Sequence, residues 1–205
     1  MRGTGNLDDL LFILYYFFCM MRLEFMERQQ TLTICKGGRQ ALVLLGESEE
    51  KREQESPDGE KTDVTVYVYD ATWLDLTKQH DPVAAAREEV LKQIAAYDTS
   101  SAVNGFMLNG AEVWLDFELR DRVYQGNERL QRIGRTDTTL WLGNKCYNLS
   151  IEQVQNIISH IEAYAKDCYN VTAAHKKAVG ELTSVEEVLS YDYTKGYPEK
   201  LTMTV

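Results

Sequence analysis

Two segments of this chain share one plan: a strand, a two-residue turn, a second strand, then a residue suited to start a helix. The first runs Phe106-Met107-Leu108-Asn109-Gly110-Ala111-Glu112-Val113-Trp114-Leu115-Asp116, and the second Leu140-Trp141-Leu142-Gly143-Asn144-Lys145-Cys146-Tyr147-Asn148-Leu149-Ser150, offset by 34 residues (106 to 140). Asn109-Gly110 and Gly143-Asn144 are turn dipeptides between runs of alternating apolar residues, the pattern of half-buried strands closed by a tight hairpin. Asp116 and Ser150 carry the side-chain oxygens that satisfy free amides at a helix start. A chain built this way folds as α+β, and the pattern specifies architecture rather than chemistry.

The turn positions set the register. In the first unit Leu108 faces Ala111 and Phe106 faces Val113, on one face with Leu115, while Met107, Glu112 and Trp114 point the other way. In the second, Leu142 faces Lys145 and Leu140 faces Tyr147, with Leu149 on the same face, while Trp141 and Cys146 share the opposite one. Each hairpin therefore has an apolar side for a core and a tryptophan on its far side.

The helices follow from caps and periodicity. Asp81-Pro82 opens one that runs to about Tyr97 through Val83, Ala86, Val90 and Ile94. Asp116 opens a second through Leu119, Val123, Leu130 and Ile133, closed by Gly134. Ser150 with Gln153 forms a capping box for the longest helix. Its seam is Ile151, Val154, Ile158, Ile161, Ala165 and Cys168, continuing through Thr172, His175 and Val179 until Gly180 stops it. This seam is a surface through which copies of the chain could associate. Ser184 with Glu187 opens one more short helix, and Tyr191 to Pro198 is an aromatic, turn-rich tail.

Ahead of these elements, Thr31–Cys35 and Ala41–Leu45 are expected as strands of a hairpin, with Val64–Tyr69 as a third strand. Gly46 to Asp63 changes abruptly to Glu, Lys, Arg, Ser, Pro and Gly, the composition of a flexible loop. The expected fold is thus a small N-terminal β-sheet followed by a helical domain with two β-hairpins. The expected divisions are an apolar extension (1–25), a β-rich region (26–79) with its acidic loop (46–63), and an α+β domain (80–205).

Leu10 to Met21 is nearly all apolar, but its 12 residues fall short of the roughly 20 that span a bilayer. Asp8 and Asp9 stand where a signal peptide carries positive charge. Translation from Met26, a buried or interfacial helix, and a membrane tether are the three readings of this stretch. Membrane association is expected only if residues 10–21 are translated and inserted.

A formal net charge of -10 argues against a non-specific nucleic-acid binder. The four cysteines, Cys19, Cys35, Cys146 and Cys168, lack metal-ligand or disulfide spacing and fit a cytoplasmic, reduced protein. His160, Tyr164 and Cys168 follow at four-residue steps, and Cys168 and His175 lie two turns apart. No second ligand cluster accompanies them, so no metal or other cofactor is expected. No nucleophile, zinc-protease or phosphate-loop motif occurs, and no catalytic residue is expected. Asp116 and Glu118 are a cap and a first-turn acid rather than an acid–base pair. A pocket beside His160, Cys168 and His175 is the alternative that a ligand-binding protein or enzyme would require. Trp114, Trp141, Tyr191, Tyr193 and Tyr197 are the candidate partner contacts, because aromatics on the far face of a hairpin pack under another layer or meet a partner.

Residues 82–202 resemble the uncharacterised family named domain of unknown function 4376, found in gut bacteria, their prophages and tailed phages. The resemblance lies in Ala85-Ala86-Arg87-Glu88-Glu89-Val90, Val103-Asn104-Gly105-Phe106, Val113-Trp114-Leu115-Asp116, Leu140-Trp141-Leu142, Cys168-Tyr169-Asn170-Val171-Thr172 and Gly196-Tyr197-Pro198. It implies a non-enzymatic phage or prophage structural protein, tail- or virion-associated, with other phage proteins as partners. The location it implies is the cytoplasm until assembly and the virion afterwards. It supplies no catalytic residues to carry over.

Overall fold

A long charged hairpin stands where composition points to a flexible loop. The computed structural model describes residues 21–55, 59, 61–142 and 144–205; most of the apolar stretch 10–21 and the turn residue Gly143 lie outside them. Gln40–Glu55 (β3) and Lys61–Asp75 (β4) pair antiparallel from Gln40↔Asp75 to Glu55↔Lys61. Most of the segment 46–63 is the distal arm of this ribbon. The sheet adds Met21–Phe25 (β1) and Leu32–Ile34 (β2) in the order β1-β4-β3-β2. Residues 21–25 are therefore a strand of the sheet, not part of a separate extension.

The arm is a strand because its polar residues face β-branched partners. Glu50, Lys51, Arg52 and Gln54 stand opposite Val66, Thr65, Val64 and Thr62. Arg52 grips Glu24 through two bonds of 2.8 Å and reaches Glu50 at 2.8 Å, while Arg22 also pairs with Glu50. β4 lies between β1 and β3, so ion pairs from β1 to β3 pass over Val66 and Val68, and both valines are buried. Alternating charge thus supplies a cover that apolar residues supply elsewhere. Gly46, at φ +63°, opens a bulge that sets Gly46 and Glu47 against Tyr69, whose hydroxyl donates to Glu47 at 2.8 Å.

Two compact units divide the chain, and their limits differ from the expected ones. Of the described residues, the first holds those from Met21 to Ala86 together with Thr183–Ser190; the second holds those of Arg87–Leu182 and Tyr191–Val205. The boundary falls within the helix Pro82–Asp98 (α1). The first unit includes a short helix that was expected to belong to the C-terminal domain, Val185–Leu189 (named α4 by chain order). Its Ser184–Glu187 capping box is present, and with Val185 and Val188 buried it packs against β3.

In the second unit Phe106–Leu108 (β5) and Ala111–Val113 (β6) form the first hairpin, in the register set by Asn109-Gly110. Both turn residues have positive φ, 49° and 78°, as a type I′ turn requires. Asp116 accepts from the Leu119 amide at 2.8 Å and starts Phe117–Arg132 (α2). Asp137–Leu142 (β7) and Lys145–Ser150 (β8) form the second hairpin, again with Leu140 opposite Tyr147 and Trp141 opposite Cys146. The capping box of Ser150 and Gln153 starts the 31-residue helix Ile151–Glu181 (α3). Phe106, Leu108, Leu115, Leu140 and Leu142 pack with Val154, Ile157, Ile158 and Ile161 in one core.

Three details depart from the sequence reading. The buried stripe of α3 includes Ile157 and Tyr164, while Ala165 is only half-buried, so the stripe is wider than a coiled-coil seam. The helix also runs through Gly180, because Val179 in its last turn is fully buried and holds that turn in place. Finally, the tail ends in a strand, Thr202–Met203 (β9), which joins β5 in parallel and makes a sheet of order β6-β5-β9.

Candidate functional site

The two tryptophans have different surroundings. Trp114 is half-buried and packs against the core, with the Arg120 guanidinium 5.4 Å above its ring. Arg120 is only 6% exposed, and it is held by the Leu115 carbonyl at 2.6 Å and by Glu162 at 2.7 Å. A guanidinium stacked on one face of an indole and bonded at its edge leaves that face closed to a partner. Trp141 is 63% exposed, on the side of β7–β8 turned away from Leu140 and Leu142. Opposite it stands Cys146, also exposed.

Tyr191, Tyr193 and Tyr197 turn inward and are half-buried. Tyr97 meets Tyr193 and Tyr197 edge-on at 5.8 and 5.5 Å. The Thr172 hydroxyl, itself 2% exposed, donates to Asp98 at 2.7 Å, so at 2.9 Å it accepts from Tyr197. His175 donates from Nε2 to the Lys195 carbonyl at 2.8 Å, and its Nδ1 shares a hydrogen bond of 2.8 Å with the Tyr191 hydroxyl. Burial pushes the Tyr197 phenol above its ordinary range. The Thr194 hydroxyl, followed by Lys195, holds the Asp192 carboxyl down at about 2. Four of the five candidate contacts, Trp114 and the three tyrosines, therefore have their partners within the chain, and Trp141 is the exposed one.

The residues singled out for a pocket on the long helix do not converge. His160 is exposed and donates from Nδ1 to the Asn156 carbonyl at 2.8 Å, one turn back on its own helix. Cys168 is buried with Val103 and Tyr164, and burial raises its thiol pKa above the ordinary 9.0. Among the described residues no group of three His, Cys, Asp or Glu side chains is placed to hold a metal ion. No helix among them is long and apolar enough to cross a membrane.

A groove of about 620 Å³ between α2 and α3 was not singled out from the sequence. Phe117, Arg120, Tyr124, Ile158, Glu162 and Lys166 line it, and Phe117 is 67% exposed. Periodicity held the signal: Phe117 directly follows the cap Asp116 and lies off the stripe marked by Leu119 and Val123. Tyr169 is 62% exposed under the Lys166 ammonium, 5.2 Å from its ring centroid. No family model, curated protein or solved structure matches the chain.

Proposed function

We propose that this chain is a non-enzymatic protein of the phage or prophage structural class, that it serves tail or virion assembly, and that it makes protein–protein contact through the outer face of β7–β8. Trp141 carries the reading. A large indole in water on a ribbon whose other face is committed to the core is the kind of anchor that dominates interface energetics. Among the described residues no third strand pairs with this two-stranded ribbon, so a partner strand has main-chain groups to meet. The class of partner comes from the family resemblance of residues 82–202.

The test is mass spectrometry of particles and assembly intermediates purified from an induced host that encodes the chain. The chain is expected in those fractions, and Trp141→Ser is expected to lower its incorporation at least about tenfold, the effect of losing a hot-spot anchor, while circular dichroism stays unchanged. Absence of the chain from particles and intermediates, or full incorporation of the variant, removes the reading.

The α2–α3 groove favours a second reading, a small-ligand site on the long helix. A fragment screen by nuclear magnetic resonance tests it: saturable shifts at Ser159, Glu162 and Lys166 support the site, and their absence with a full screening set discards it.

A further inference from the structure

The last ten residues belong to the second unit, where they hold no helix and enter a sheet only at Thr202–Met203. β9 adds to the open edge of β5 with the Met107 amide donating to Leu201 O at 2.8 Å and the Asn109 amide to Met203 O at 3.0 Å. The Asn109 side chain continues this ladder beyond the end of β5: its Oδ1 accepts from the Val205 amide at 3.1 Å and its Nδ2 donates to Val205 O at 3.3 Å. Main-chain pairing of this kind supplies affinity without regard to sequence.

Side chains at intervals along the segment supply selectivity. Tyr197 enters the recess of Tyr97 and Thr172, and Leu201 packs with Val103, Tyr164 and Cys168. The Lys200 ammonium bonds the Ser101 carbonyl at 3.0 Å and pairs with Glu112. Gly105 forms the wall beside that ammonium. A Cβ there would stand 2.7 Å from Ser101 O and 3.3 Å from Lys200 Nζ, so glycine keeps the lysine's place open.

We propose that the β5 edge and the Tyr97–Thr172 recess form a peptide-recognition groove, which the chain fills with its own C-terminus and which the C-terminus of a second copy can fill by the same contacts. Within one chain the tail acts at a high effective concentration, so a free peptide competes poorly, by roughly a hundredfold or more. The groove becomes measurable when the resident tail is weakened.

The experiment uses the full-length chain with Glu112→Lys, a half-exposed position, and fluorescein-labelled peptides of residues 196–205 read by anisotropy. The variant repels its own Lys200. A peptide carrying Lys200→Glu is expected to bind saturably and at least roughly tenfold more tightly than the unaltered peptide, since like charges face each other in the latter. The reverse preference is expected for full-length Tyr197→Ala, which keeps Glu112 and loses the resident aromatic anchor. Absence of saturable binding to either folded variant, or binding without the charge preference, overturns the proposal, because a tail that is merely part of the core neither exchanges nor selects.

Discussion

The two hairpins of the second unit begin from nearly the same sequence plan and have different environments. Each places leucines in the common core, but Trp114 packs half-buried against that same core, while Trp141 lies on the reverse side of its hairpin. β5–β6 acquires a third strand from the C-terminus, and its Trp114 lies beneath Arg120. Among the described residues β7–β8 remains two-stranded, and its Trp141 is 63% exposed. Local sequence thus builds a hairpin, whereas the chain that returns to cover it decides whether its outer face is structure or surface.

The largest expected break in this comparison is Trp114→Ala. It removes an indole wedged against the core and strands the guanidinium above it, with an expected loss of about 3 kcal/mol in urea unfolding. Arg120→Ala comes next, at about 2 kcal/mol, because the Leu115 carbonyl loses its donor, Glu162 its partner and Trp114 its cover. Arg120→Lys should recover only part of that loss, since an ammonium cannot stack and bond at its edge together.

A smaller effect follows from pH and concerns the strand-bearing tail of the first hairpin. Burial holds Cys168 and Tyr197 protonated above their ordinary 9.0 and 10.0. The unfolded chain therefore loses these protons first as pH rises. Their contribution to stability is full below pH 9.0 and is lost as pH climbs through the folded values. Asp192 works in the opposite direction: its contribution is present above 3.8 and is lost as pH falls through about 2. Thermal unfolding followed across pH should be level between these limits and decline on the alkaline side, with the 191–205 amides losing exchange protection first.

The smallest effect sharpens the contrast. Trp141→Ala is expected to change stability by no more than about 0.5 kcal/mol, because its side chain gives up little contact on folding. A loss for Trp141 comparable to that for Trp114 would mean that its outer face is covered, and would remove the basis for a partner there.

Much of the fold was legible because local rules sufficed. Asn109-Gly110 fixed its hairpin register, since only residues that accept positive φ make a type I′ turn, and Asp81, Asp116, Ser150 and Ser184 marked helix starts through the amides they cap. The charged arm of β3 and β4 was not legible. Glu and Arg at alternate positions look like solvated loop until the opposite strand supplies valines and ions of the other sign. β9 was hidden for a related reason: two residues carry no periodicity, and their strand state comes from the β5 edge. The groove between α2 and α3 needed both helices at once.

By itself, then, the sequence determined the α+β class, the hairpin registers, the helix starts and the apolar faces, all of them set by contacts between residues a few positions apart or by periodicity along one element. Only the tertiary structure decided that Trp114 and the tail tyrosines are internal, that Trp141 is exposed, and that the C-terminus completes the first hairpin's sheet. Those outcomes depend on partners distant in sequence, Arg120 with Glu162 and Met107 with Leu201, whose meeting no local pattern encodes.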